Sequence, residues 1–205
     1  MDKIKAARDI ITHALPLVPF EGWTQLTLNK AAEAAGYKRT DAIRVFPEGV
    51  MQALDCYFTL ADAAMVDALA RYHLDTMKIR ERVATCVRLW LESQTPHKEA
   101  LRRAVALQAM PFYSHHALQN LYHTVDAIWR AIGDNSTDFN FYTKRLTLAA
   151  VFSSTLLYWL EDTSTGTASS WAFLDRRIEN IMQIEKAKGA LRQWFAGSKM
   201  FKKSA

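Results

Sequence analysis

Apolar residues along this chain recur every three to four positions and nowhere alternate with polar ones. That spacing stacks them on one side of a 3.6-residue turn, so it predicts helices and no sheet. Ile4, Ala7, Ile11 and Ala14 or Leu15 form a stripe over 2–15 that Pro16 ends. Thr24 or Thr27 can cap a short helix running to about Gly36, and a second short helix covers about 40–45. Pro47 reads as a first-turn proline opening a long helix with the stripe Val50, Leu54, Tyr57/Phe58, Ala61, Met65, Leu69, Tyr72.

From Thr76 a helix carries Ile79, Val83, Val87 and Trp90. Thr95-Pro96 opens one with Leu101, Val105 and Leu107 that Pro111 ends, and Ser114 can cap one with Leu118, Leu121, Tyr122, Val125 and Ile128. Ser136-Thr137-Asp138 starts a helix ending near Leu160. Its apolar run, Leu146 to Leu160, falls short of the roughly 20 residues a membrane span needs and reads as a fully buried core helix. A polar loop over 161–170 leads into a helix to about Lys188 bearing Leu174, Ile178, Ile181 and Ile184. About ten helices result, and the expected class is all-α.

The last stretch, 189–205, is set off by glycines. Leu191, Trp194, Phe195, Ser198 and Phe201 share one helical stripe, with Met200 beside it and Arg192, Lys199, Lys202 and Lys203 around it. An amphipathic helix of this kind suits a bilayer interface, aromatics down and cations toward anionic headgroups; the alternative is a terminal helix docked on its own core or on a partner. Charge favours the first reading. Residues 176–205 carry eight Lys/Arg against two acids, whereas the whole chain is only +5, so residues 1–175 sum to −1. A body near neutrality argues against wrapping nucleic acid along its length.

Cys56 and Cys86 sit inside helical patterns and read as free thiols. Residues 1–9 contain acids and no apolar core, so neither a signal peptide nor a transit peptide is visible there. The expected location is cytoplasmic, peripheral on the inner face of a bacterial cytoplasmic membrane.

Chemical motifs are sparse. The sequence has no Gly-x-Gly phosphate or dinucleotide loop, no Glu-x-x-His for a di-iron centre, and too few cysteines for a cysteine-based zinc site. Adjacent His115 and His116 should point to different faces as surface residues, and His123 with Asp126 reads as a solvent-side pair. Glu81, Glu92, Glu99 and Glu161 have no evident partner. No nucleophile, base and oxyanion donor assemble. No catalytic residue, metal site or cofactor is expected.

Two short helices about Gly36, with Gly22-Trp23-Thr24, Ala31-Ala32-Glu33-Ala34-Ala35-Gly36 and Arg44-Val45-Phe46-Pro47-Glu48-Gly49-Val50, resemble the N-terminal half of tetracycline-repressor-type regulators. If this outline read DNA, Lys38, Arg39 and Arg44 would touch phosphates and Thr40 or Asp41 would face bases. Three cations are thin for such a task, and a solvated face left over from the fold is the preferred reading.

A more specific resemblance covers residues 6–188. Ser136 through Arg145, with Ala14 through Trp23, Arg80-Glu81-Arg82, His97 through Arg103, Ala127-Ile128-Trp129 and Trp171 through Asn180, is similar to the ubiquinone-biosynthesis accessory family of the ninth Coq protein, in an alphaproteobacterial form. The resemblance implies a tetracycline-repressor-like fold with a helix-turn-helix-like lobe and long helix at 1–75, a lipid-binding lobe at 76–188 and a membrane-binding tail at 189–205. It implies a homodimeric, non-enzymatic accessory protein. That protein holds an isoprenoid quinone or other lipid and presents ubiquinone precursors to the di-iron demethoxy-ubiquinone hydroxylase, with no specific nucleic-acid partner. Ile128, Asp138, Phe141 and Tyr142 would meet the hydroxylase, Phe141 standing where the family usually has Trp. Leu191, Arg192, Trp194, Phe195, Lys199, Met200 and Phe201 would meet the membrane. The rival expectation is a dimeric transcription regulator with an apolar effector.

Overall fold

Residues 2–134, 139–181 and 183 are described by a computed structural model. Asp2 accepts from the Ile4 and Lys5 amides at 3.0 and 3.3 Å and so caps α1, Lys3–Ala14. Pro19 lies in the first turn of a short α2, Val18–Glu21, a helix between Pro16 and Gly22 that the periodicity did not show. The Thr24 hydroxyl caps α3, Gln25–Ala34, taking the Thr27 amide at 3.1 Å, while the Thr27 hydroxyl donates to the Gly22 carbonyl at 2.8 Å. Helix α4, Arg39–Val45, follows the turn at Gly36.

The long helix α5, Val50–Leu69, begins later than Pro47. Gly49 adopts φ +72, which only glycine adopts at little cost. Phe46 to Gly49 therefore form a turn closed by the Gly49 amide on the Phe46 carbonyl at 2.9 Å, and the helix starts on its far side. Helices α6, Ile79–Ser93, α7, Lys98–Gln108, α8, Ser114–Ala131, and α9, Phe139–Glu161, follow, with α10 over 168–181. The described residues contain ten α-helices and no strand.

Helix α5 is the spine. It packs on α1 in the N-terminal lobe and on α6 and α8 beyond it, while α9 lies on α8 and α6. Aromatic rings link these layers: Trp23 to Tyr57, Tyr57 to Phe58, Phe58 to Trp90, and Trp90 to Phe152, with centroids 5.0–6.0 Å apart. The Trp23 indole N–H donates to the Ala100 carbonyl at 2.9 Å, which ties the lobe to α7.

Two helices differ from the pattern reading. Helix α9 is not fully buried: Leu148, Val151, Phe152, Leu156, Trp159 and Leu160 face inward, but Leu146, Leu157 and Tyr158 are exposed. Its uninterrupted apolar run hid which side faces water. Helix α8 exposes the expected stripe residues Leu118 and Tyr122 and instead buries Asn120, Thr124 and Asp126. Partners on α5 and α9 satisfy those three polar side chains. None of the described helices is long and apolar enough to cross a membrane.

Candidate lipid cavity and partner surface

A cavity of about 650 Å³ opens between the start of α6, the end of α8, the first half of α9 and α10. Val83, Leu148, Val151, Ile178 and Ile181 form its apolar walls, with Thr143 and Thr147 between them. Ile178 and Ile181 are three residues apart on α10 and so share a face. Ile79, Lys78 and Arg80 stand at the first turn of α6. Lys144 lies across from them, donating to Asp134 at 2.7 Å with its ammonium 5.4 Å from the Trp129 ring.

The Trp129 side chain is 9% exposed and lines the cavity, yet its indole N–H has no hydrogen-bond partner among the described residues. A buried N–H left unpaired costs about 1–3 kcal/mol, and this one is packed against its neighbours and not open to the cavity space. Apolar walls with the cations Lys78, Arg80 and Lys144 nearby together fit a long apolar molecule with a polar head.

Beneath this wall lies a buried ionic cluster. Arg145 on α9 donates through Nε to Asp126 at 2.8 Å and sits 3.4 Å from Asp134. Arg130 reaches the other Asp126 oxygen at 2.7 Å. The Arg145 guanidinium also covers the Phe141 ring and donates to the Phe141 carbonyl at 3.3 Å. Asp126 is thus committed to α9, and the expected solvent-side pairing with His123 is replaced by this cluster, because Asp126 lies on the inner face of α8.

The four expected partner residues separate. Tyr142 is 69% exposed and Phe141 is half-buried, the two rings meeting edge-on at 5.1 Å. Ile128 is fully buried, so its side chain is core and presents no surface. Asp138 lies outside the described residues, as do the expected membrane contacts Leu191, Arg192, Trp194, Phe195, Lys199, Met200 and Phe201.

Elsewhere, His115 and His116 do not diverge. Their rings lie 4.1 Å apart, and the half-buried His116 Nδ1 sits 3.0 Å from Asp55. Glu81 caps α6 through the Lys78 amide, Glu99 pairs with Arg102 and Arg103, and Glu161 pairs with Arg102. Among the described residues no group of three or more His, Cys, Asp or Glu is placed to hold a metal ion. Burial pushes the Cys86 thiol up to about 12, which leaves it protonated and inert. In the helix-turn-helix outline, Arg39 pairs with Glu33 at 3.3 Å and Arg44 with Asp41 at 3.5 Å. Asp41 also accepts the Lys38 amide, so it caps its own helix.

Residues 114–185, which hold the cavity's α8, α9 and α10 walls and the Phe141-Tyr142 surface, match the COQ9 family. The ubiquinone biosynthesis protein COQ9, mitochondrial, of Drosophila melanogaster is 33% identical over 189 residues, covering 90% of this chain and 57% of the relative. The chain belongs to the COQ9 family. The Homo sapiens protein of the same name is 28% identical over 186 residues, covering 85% of this chain and 57% of the relative. The chain therefore spans a little over half the length of these two relatives. A TetR transcriptional regulator from Nitrosomonas europaea ATCC 19718 superposes with a TM-score of 0.67 at 16% identity, covering 84% of this chain and 95% of that one. That likeness shows the tetracycline-repressor-like fold and nothing of DNA binding.

The COQ9 relatives are named mitochondrial proteins, which overturns the expected bacterial cytoplasmic-membrane location. That expectation rested on the composition of residues 1–9, and one short stretch does not decide an address.

Proposed function

We propose that this chain acts in ubiquinone biosynthesis as a non-enzymatic accessory protein that holds an isoprenoid quinone intermediate or similar lipid and presents it to the di-iron demethoxy-ubiquinone hydroxylase. The cavity of about 650 Å³ carries the proposal, with its apolar walls and the cations at its edge. Each ligand CH₂ buried there contributes about 0.8 kcal/mol, so an isoprenoid chain has ample driving force. Lys78 and Arg80, at the first turn of α6, would favour an anionic or oxygen-bearing head. Exposed Tyr142 beside Phe141, on the helix that walls the cavity, would place the hydroxylase next to the lipid. The tail stripe with Trp194 and Phe195 would hold the chain at a membrane, and exposed Leu157 and Tyr158 on α9 would bury against a second copy in a homodimer.

Native mass spectrometry of the purified protein tests the cavity. A co-purifying lipid is expected, and Thr147→Trp, which fills the space from a half-buried wall position, should remove it while the thermal unfolding transition stays cooperative. A folded Thr147→Trp protein that keeps its lipid would overturn the assignment. Tyr142→Ala should weaken hydroxylase binding about tenfold in calorimetric titration, since aromatic anchors dominate such interfaces. Trp194→Lys/Phe195→Lys should abolish flotation with anionic liposomes and leave the co-purifying lipid in place.

A repressor reading is less well supported, because the two arginines that would meet phosphates are already paired with Glu33 and Asp41.

A further inference from the structure

Helices α5 and α8 meet along a polar seam, and a groove of about 370 Å³ runs beside it. Asp55, Thr59 and Asp62 line it from α5, and His123 and Asp126 are among the residues that face them from α8. Ala127 is the one hydrocarbon side chain among its described lining residues, and the groove shares no lining residue with the lipid cavity.

The three carboxylates differ in what holds them. Asp126 is neutralised by Arg145 and Arg130. His116 and Asn120 each hold one oxygen of Asp55, at 3.0 and 2.8 Å. Asp62 takes both of its donors, the Trp90 indole N–H and the Thr124 hydroxyl, on the same oxygen, Oδ1. Its Oδ2 has no donor among the described residues, yet it is not sealed in the core as the Trp129 and Gln108 nitrogens are. Asp62 is otherwise nine-tenths buried, and the groove is where it reaches the surface. A carboxylate held in the core with one open oxygen is stabilised by a cation delivered to that oxygen.

We propose that this groove binds a soluble linear polyamine, with one terminal ammonium on Asp62 Oδ2 and the other toward Asp55. An ammonium brings three N–H donors and no acceptor, which suits an oxygen that lacks only donors. Asp55 and Asp62 are seven residues apart on α5. Seven residues make two turns, so the two acids share one face about 10 Å apart along the axis, with Thr59 between them. A metal ion is a poorer fit, because no three His, Cys, Asp or Glu among the described residues are placed to hold one. So is the amine of a lipid headgroup, because Ala127 alone gives an acyl chain nothing to lie against.

The test uses the full chain with labelled amides, followed by NMR at pH 8 and fixed ionic strength. It is titrated with spermidine and with butylamine, which has a single ammonium. Saturable shifts are expected at the Thr59, Asp62, His123 and Ala127 amides, with spermidine bound at least about tenfold more tightly than butylamine. Asp62→Asn keeps an acceptor for Trp90 and Thr124, so the protein should stay folded, and spermidine should bind it about tenfold more weakly, the worth of one hydrogen bond to a charged group. Asp67→Asn removes an exposed carboxylate of the same helix outside the groove and should leave the affinity unchanged, as should Thr147→Trp in the lipid cavity. Unchanged affinity in Asp62→Asn, an equal loss in Asp67→Asn, butylamine bound as tightly as spermidine, or no saturable shift would each overturn the assignment.

Discussion

Replacing Asp126 by alanine is expected to destabilise the protein by about 3–5 kcal/mol, read as a lower midpoint in chemical denaturation. The side chain of Arg145 is only 6% exposed and holds two contacts to one Asp126 oxygen, at 2.7 and 2.8 Å. Without Asp126 the guanidinium keeps, among the described residues, Asp134 at 3.4 Å and the Phe141 carbonyl and ring, and at 6% exposure little water reaches it to compensate. Removing one partner of a buried pair costs far more than removing both. The double variant Asp126→Leu/Arg145→Met should therefore recover most of the loss. It should not recover hydroxylase binding, because Arg145 also positions Phe141 on the proposed partner surface. A single Asp126→Ala protein with an unchanged midpoint would show that the pair contributes no net stability.

Sequence periodicity reveals elements well and partners poorly. Thr24 as a cap, Trp90 inside, and Ile178 with Ile181 on one face follow from local rules. Those rules concern residues within a turn or two of each other, and the hydrogen-bond geometry enforces them. Arg145 and Asp126 lie 19 positions apart, and Asp62 and Thr124 lie 62 apart. A charge inside a helical stripe reads as solvated until its cross-helix partner is known. That is how Asp126 came to be placed in solvent, and how Leu118 and Tyr122 displaced Asn120 and Thr124 as the inner face of α8. Ile128 shows the converse: the resemblance places a contact near it, while its side chain is core. The cavities were illegible for a further reason. A void is the volume that four helices fail to fill, so no single segment encodes it. The family resemblance suggested a lipid, but only packing places Trp129 and Val151 on a common wall.

The stability of this protein should fall by roughly 2–3 kcal/mol between about pH 4 and pH 7 on account of Asp62. Asp62 sits on α5, 9% exposed, accepting the Trp90 indole N–H at 2.7 Å and the Thr124 hydroxyl at 2.8 Å. Burial raises its carboxyl from 3.8 to about 6, against the pull of those two donors and of nearby His123. The folded state thus binds the proton more tightly than the unfolded state. The resulting stabilisation is complete below about pH 4, where both states are protonated. It is lost as pH rises through about 6, where the folded carboxylate must ionise within the core. Asp62→Asn keeps an oxygen acceptor for Trp90 and Thr124 and carries no charge at any pH. Its denaturation midpoint should exceed that of the parent at pH 8 and converge with it at pH 4. A parallel pH dependence in the two proteins would place the linkage on another group and would mean that Asp62 is hydrated in the folded state.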